Sequence, residues 1–189
     1  MHLTRSVWSL IGTALVLMGA TSAFATELDL NVNDDAARLT VAWDAGSRIQ
    51  LDASVLTHQD RGEYVHFGAH LVDDAAVEVP LTAGLGGRLV YLSPDDIDDD
   101  EFALAVGGFV KYVFPNANRF SVGAHLYYAP DVLGFGDLEE FVELGARASY
   151  NVLRDADIYI GARYIRAETD QGPEVTLDNG LLIGVRFRF

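Results

Sequence analysis

Ile49-Gln50-Leu51-Asp52-Ala53-Ser54-Val55, a Gln59-Asp60-Arg61-Gly62 turn, and Val65-His66-Phe67-Gly68-Ala69-His70-Leu71 alternate apolar with small or polar residues on both sides of the turn. A period of two marks a strand with two unlike faces, so the stretch reads as a β-hairpin. The pattern continues in Leu81 to Leu92, Phe102 to Phe114, Arg119 to Ala129, Glu140 to Val152, Asp157 to Glu168 and Val175 to Phe189. These runs are about 11 to 15 residues long, beyond the 5–6 of an ordinary globular strand and near what a tilted strand needs to cross a bilayer. Counting back from Phe189, Ala36 to Trp43 is the ninth strand and Glu27 to Val32 a short tenth. The expected fold is therefore all-β, an antiparallel up-and-down transmembrane barrel of ten strands, with eight if the opening segment and one hairpin lie outside the wall.

Residues 1–25 read as a signal peptide, with His2 and Arg5, an apolar run from Val7 to Ala20, and Ala23-Phe24-Ala25 at its end. That run is too short for a spanning helix, and Ala-x-Ala is the pattern cut by signal peptidase. The single expected domain is residues 26–189. The 189 residues contain no cysteine, which excludes a disulfide scaffold and a thiolate metal site. With 28 acidic against 13 basic residues and a formal charge of -15, the chain has the wrong sign for nucleic acid. Connectors at Asp44 to Ser47, Asp73 to Ala76, Pro115 to Asn118 and Leu153 to Ala156 are short, whereas Ser93 to Glu101 and Pro130 to Glu139 are longer. Short turns on one rim and longer loops on the other fit the outer membrane of a Gram-negative cell envelope, the short rim in the periplasm.

Residue type separates the two faces. One holds Leu104, Val106, Val110 and their equivalents, with aromatics at its ends: Trp43, Tyr112, Phe114, Phe120, Tyr150, Phe187 and Phe189 toward the short-turn rim, Tyr91, Phe102, Tyr128 and Tyr164 toward the other. Two such girdles belong at two membrane interfaces. The other face combines glycines with long charged groups, a composition for a narrow lumen rather than a hydrated exterior. The candidate lumen set is Arg88, Lys111, His125, Glu143, Arg147, Arg163 and Arg186, with Glu143 placed to meet His125 or Arg163. Paired, these residues plug the barrel; unpaired, they line a narrow passive, porin-like passage that prefers anions.

The opening Glu27-Leu28-Asp29-Leu30-Asn31, the Gly107-Gly108-Phe109 step, Leu126-Tyr127-Tyr128-Ala129-Pro130-Asp131-Val132-Leu133 and Val175-Thr176-Leu177-Asp178-Asn179-Gly180 resemble the YfaZ family of bacterial outer-membrane proteins over nearly the whole mature chain. The resemblance implies an outer-membrane barrel of undefined role and supplies no catalytic residues. Arg186-Phe187-Arg188-Phe189 also resembles the terminal signal read by the barrel assembly machinery.

Ser54 faces His66 across the hairpin with Asp52, Gln50 and His70 on the same side, the parts of an acyl-transfer site. They point to the lumen, lack a nucleophile motif, and read better as lumen hydrogen bonding, so no enzyme is expected. Asp95, Asp96, Asp98, Asp99, Asp100 and Glu101 crowd one long loop, expected to be a solvated acidic loop able to hold Ca²⁺ or Mg²⁺ weakly and to bridge to lipopolysaccharide. No other cofactor is expected. Two other readings remain open: a soluble periplasmic barrel with the faces reversed, binding an apolar ligand, and a lipid-modifying enzyme. The expected partners are outer-membrane lipid, lipopolysaccharide and the assembly machinery, around a monomer.

Overall fold

The computed structural model describes residues 26–46, 48–74, 80–93, 101–136, 138–169 and 174–189. Eleven strands form: β1 (Glu27–Val32), β2 (Ala36–Asp44), β3 (Ile49–His58), β4 (Gly62–Asp74), β5 (Leu81–Ser93), β6 (Glu101–Val113), β7 (Phe120–Pro130), β8 (Gly134–Phe135), β9 (Leu138–Leu153), β10 (Ala156–Thr169) and β11 (Val175–Arg188). All but β8 are staves of one antiparallel wall. Each stave pairs with its sequence neighbour, β7 with β9, and Glu27–Val32 lies against Ile183–Arg188 to close the cylinder. The barrel thus has the ten strands expected, because the short β1 completes the wall and leaves no open edge in lipid. No described helix is long and apolar enough to cross a membrane.

The strand β8 was not foreseen. β7 pairs with β6 only from Val106 to Val113, so the far end of β6 lacks a partner on that side. Gly134 and Phe135 supply it, pairing with Ala103 and Phe102. At Gly136 the backbone takes φ +89°, and a Cβ there would fall 2.5 Å from Oε2 of Glu101. Only glycine lets the loop pass so close.

The start of β1 and the end of β11 lie on the rim that carries the β2–β3, β4–β5, β6–β7 and β9–β10 connections. That rim is called terminal here and the other distal. The wall's outer face is apolar: Leu85 is 73% exposed, Ile160 65% and Leu181 83%. Arg38, Arg163 and Arg186, with His66, His70 and the buried acids Asp29, Asp52, Glu143 and Asp178, are buried inside the wall, which argues against the reversed arrangement of a soluble barrel. Every aromatic assigned to the two girdles remains on the outer side or at a rim, none of them buried.

Candidate functional site: the layered lumen

The lumen divides into three layers along the barrel axis. The distal layer is apolar, which corrects the expectation of a glycine and charge lining throughout. Leu56, Tyr64, Val90, Tyr127, Phe141, Ile165 and Leu177 turn inward and are fully buried, and Tyr64 stacks on Phe141 with centroids 6.0 Å apart. Parity alone hides part of this layer. A bulge shifts the register where Ile165 pairs with Asp178 but Arg166 with Thr176, so Val175 and Leu177 turn inward although their parity matches lipid-facing Leu181 and Ile183.

Beneath it lies an ion-paired layer centred on Glu143, which is fully buried. Its Oε1 accepts from Nη1 of Arg38 at 2.7 Å and faces Nε2 of His125 at 3.2 Å. Its Oε2 accepts from the hydroxyl of Tyr64 at 2.6 Å and from Nη1 of Arg88 at 3.1 Å. Two guanidiniums, a phenol and an imidazole thus saturate one carboxylate. The guanidinium carbon of Arg88 sits 3.6 Å from the ring centre of Tyr127, a second anchor for the same cation. Asp52 serves the other side, with Nε2 of His66 at 2.5 Å, Nδ1 of His70 at 3.1 Å and Nη2 of Arg88 at 3.7 Å.

The acyl-transfer reading does not survive this geometry. Ser54 lies opposite His66 in register, as expected, but its Oγ accepts from Nε of Arg38 at 2.7 Å and can donate to the carbonyl of Leu39 at 3.1 Å. The remaining nitrogen of His66, Nδ1, lies 3.1 Å from Nη2 of Arg38, which can only donate. Nδ1 is therefore the acceptor and Nε2 carries the hydrogen toward Asp52. The imidazole has no lone pair left for the serine proton.

Arg163 does not meet Glu143. It donates from Nε to Asp178 at 2.5 Å and from Nη1 to Asn31 at 2.6 Å. Asp178 also accepts from Asn33 at 2.8 Å, which ties the β1–β2 turn to β11.

The third layer is a cavity of about 290 Å³ toward the terminal rim. Asp29 accepts from Nη1 of Arg147 at 3.1 Å, from Nε and Nη2 of Arg186 at 3.2 Å each, and from the Tyr159 hydroxyl. Glu27 lies 2.9 Å from Arg186, and Arg188 grips Asp157 through two bonds of 2.6 and 3.1 Å. Lys111 makes no hydrogen bond or ion pair among the described residues.

All seven charged lumen residues named from sequence therefore line or approach the interior. Sequence reading missed Asp29, Asn31, Arg38, Tyr64, Tyr127, Tyr159 and Asp178. Most were accessible by parity, since Asp29 and Asn31 alternate with Leu28, Leu30 and Val32, and Tyr64 shares the face of His66. Of the acidic loop, residues 95–100 lie outside the described residues. Glu101 differs from the solvated position expected of it: it opens β6, points inward and is buried. Among the described residues no group of three or more His, Cys, Asp or Glu is arranged to hold a metal ion.

A family profile described as "YfaZ precursor" matches residues 6–189. The curated outer membrane protein YfaZ of Escherichia coli (strain K12) is 32% identical over 111 residues, covering 58% of this chain and 59% of that relative. Among solved structures, the NanC porin superposes with a TM-score of 0.50 at 14% identity, covering 87% of this chain and 100% of that one. The KdgM porin gives 0.48 at 14% identity over 87% and 99%. At 14% identity the likeness to the NanC porin speaks to the barrel fold alone.

Proposed function

The chain belongs to the YfaZ family and is an outer-membrane β-barrel, and we propose that it is a structural, surface-facing barrel closed to passive flux, with a lumen sealed toward the cell exterior and open as a blind cup toward the periplasm. The supporting observation is the double seal. A fully buried apolar layer lies directly over a fully buried carboxylate held by four donors. A water-filled path through such a layer would leave those charges hydrated rather than mutually paired. The terminal rim is assigned to the periplasm because the first and last strands of the wall, β1 and β11, both meet that rim, on the side from which the strands are delivered.

The same reading makes the protein a non-enzyme, since the hydroxyl best placed for nucleophilic work is committed to Arg38 and a backbone carbonyl. It also takes the barrel as a monomer in lipid and lipopolysaccharide, inserted by the barrel assembly machinery, with any Ca²⁺ or Mg²⁺ confined to weak binding at the 95–101 loop. The test is conductance of the folded protein in a planar bilayer. Silence is expected from protein shown by heat-shifted electrophoretic mobility to be folded. Discrete, reproducible steps from the unaltered protein would overturn the sealed reading in favour of the narrow anion-preferring pore.

A further inference from the structure

Charge inside the periplasmic cup does not balance locally. Glu27 and Asp29 both lie on Arg186, and Asp157 is taken by both ends of the Arg188 fork. Arg147 spends only Nη1 on Asp29, and its side chain is 34% exposed. Lys111 spends nothing among the described residues. Among the described residues the cup thus holds an ammonium in no direct ion pair, with Glu27 and Asp157 facing it at longer range, and a guanidinium with donors to spare.

Register places these two cations across a gap. Lys111 on β6 pairs with Gly123 on β7, and Gly123 pairs with Arg147 on β9. Two strand spacings separate the backbones of the cations by about 10 Å. Between them Gly123 offers no side chain; a Cβ there would meet the Val110 carbonyl oxygen at 3.1 Å and Nε of Arg147 at 3.7 Å, and Lys111, Gly123 and Arg147 all line the cavity. Any larger residue would fill the space that both cations border.

From this we infer that the cup binds one small phosphate-like anion between Lys111 and Arg147, over Gly123. A guanidinium fork matches two oxygens of such an anion, and an ammonium adds a point charge from the opposite side. The size of the site limits the ligand. A volume of about 290 Å³, already shared with wall side chains, falls at the bottom of the range for drug-sized ligands, so inorganic phosphate or a small phosphomonoester fits better than an oligomer. The inference rests on the sealed reading for the cup's blind end, whereas the clamp itself needs only the β6–β7–β9 register.

Lys111 is the sole lysine in the sequence, which makes the test direct. The folded protein in uncharged detergent is treated with a small water-soluble amine acylating reagent, and modification of Lys111 and of the terminal amine is followed by peptide mass spectrometry. Inorganic phosphate is expected to slow acylation of Lys111 saturably while the terminal amine, the internal standard, is unaffected at matched ionic strength. By calorimetry, Lys111→Gln and Arg147→Gln should each weaken phosphate binding by about tenfold or more, the value of one charge-assisted contact. Arg166→Gln, on the outer wall, should leave it unchanged. Because Lys111 makes no hydrogen bond or ion pair among the described residues, its variant should fold.

Equal slowing of both amines, equal protection by sodium chloride, or unchanged binding by Lys111→Gln would overturn the site. Protection seen only in nanodiscs containing phosphatidylglycerol would put the phosphate on a lipid and overturn its place in the lumen. Conductance of the same preparation keeps the two readings apart. A conducting barrel that still protects Lys111 sinks the seal and keeps the clamp; a silent barrel without protection does the reverse.

Discussion

Replacing Glu143 by glutamine should destabilise the barrel more than any other single isosteric change in the wall. Glutamine keeps the volume, so the loss is not that of a cavity. It removes the charge facing Arg38 and Arg88 and substitutes an amide NH₂ for one acceptor, while all four neighbours at 2.6–3.2 Å approach with donors or with an imidazole. Breaking one side of a buried ion pair costs about 3–5 kcal/mol, because the partner charge stays buried without compensation. That is roughly a hundredfold to several-thousandfold in the folding equilibrium.

The assay is urea unfolding in uncharged micelles. Trp43, the sole tryptophan beyond the signal segment, packs beside Phe67 at the terminal rim with ring centroids 6.0 Å apart and reports the transition. The control is Glu140→Gln. Glu140 pairs with Arg166 on the outer surface, where a salt bridge is worth about 0–1 kcal/mol. If Glu143→Gln unfolds within about 1 kcal/mol of the unaltered protein, the carboxylate is hydrated and the sealed ion layer does not exist.

Three further outcomes follow from the packing. Gly107→Ala should cost about 1–3 kcal/mol or prevent folding, since its Cβ would lie 2.0 Å from the carbonyl oxygen of Leu126 and the backbone must move; unchanged heat resistance would contradict that close approach. Trp43 fluorescence should be quenched by lipids brominated near the headgroup more than by lipids brominated at mid-chain, as its place at the terminal rim requires; equal quenching would displace the girdle. Asn33→Ala should cost about 1–3 kcal/mol, read by the same urea titration, because its Oδ1 accepts from the backbone of Asp35 and Ala36 and its Nδ2 donates to the buried carboxylate of Asp178; a neutral result would mean that the β1–β2 turn closes without its side chain.

Alternation made the wall legible because a strand in a barrel has one environment on each side, and residue type reports that environment directly. Strand number, the inward set and both girdles follow from it. What the interior does with its charges was less legible. Parity puts Glu143 and Arg163 on the same face, yet pairing depends on where along the axis each side chain ends, and Arg163 reaches Asp178 and Asn31 instead. The apolar distal layer was obscured for a different reason. Tyr64, Tyr127 and Phe141 are aromatics on the lumen face of strands whose other face is also apolar, so a two-letter pattern of apolar and polar loses contrast there. At Leu177 a bulge reverses parity outright, and no local residue type announces it.

The choice of cation follows the same logic of enclosure. Arg38 reaches Glu143, Ser54 and His66 with three different nitrogens, and Arg163 reaches Asp178 and Asn31 with two. A buried lysine offers a compact, strongly hydrated charge and cannot hold several acceptors in one plane, so each such position would leave an acceptor unmatched. Within the sealed layers every cation must satisfy several neighbours at once, and arginine fills those places. Lysine occurs once, at a lumen position that makes no hydrogen bond or ion pair among the described residues, where a compact charge on a flexible stem has no plane of acceptors to satisfy.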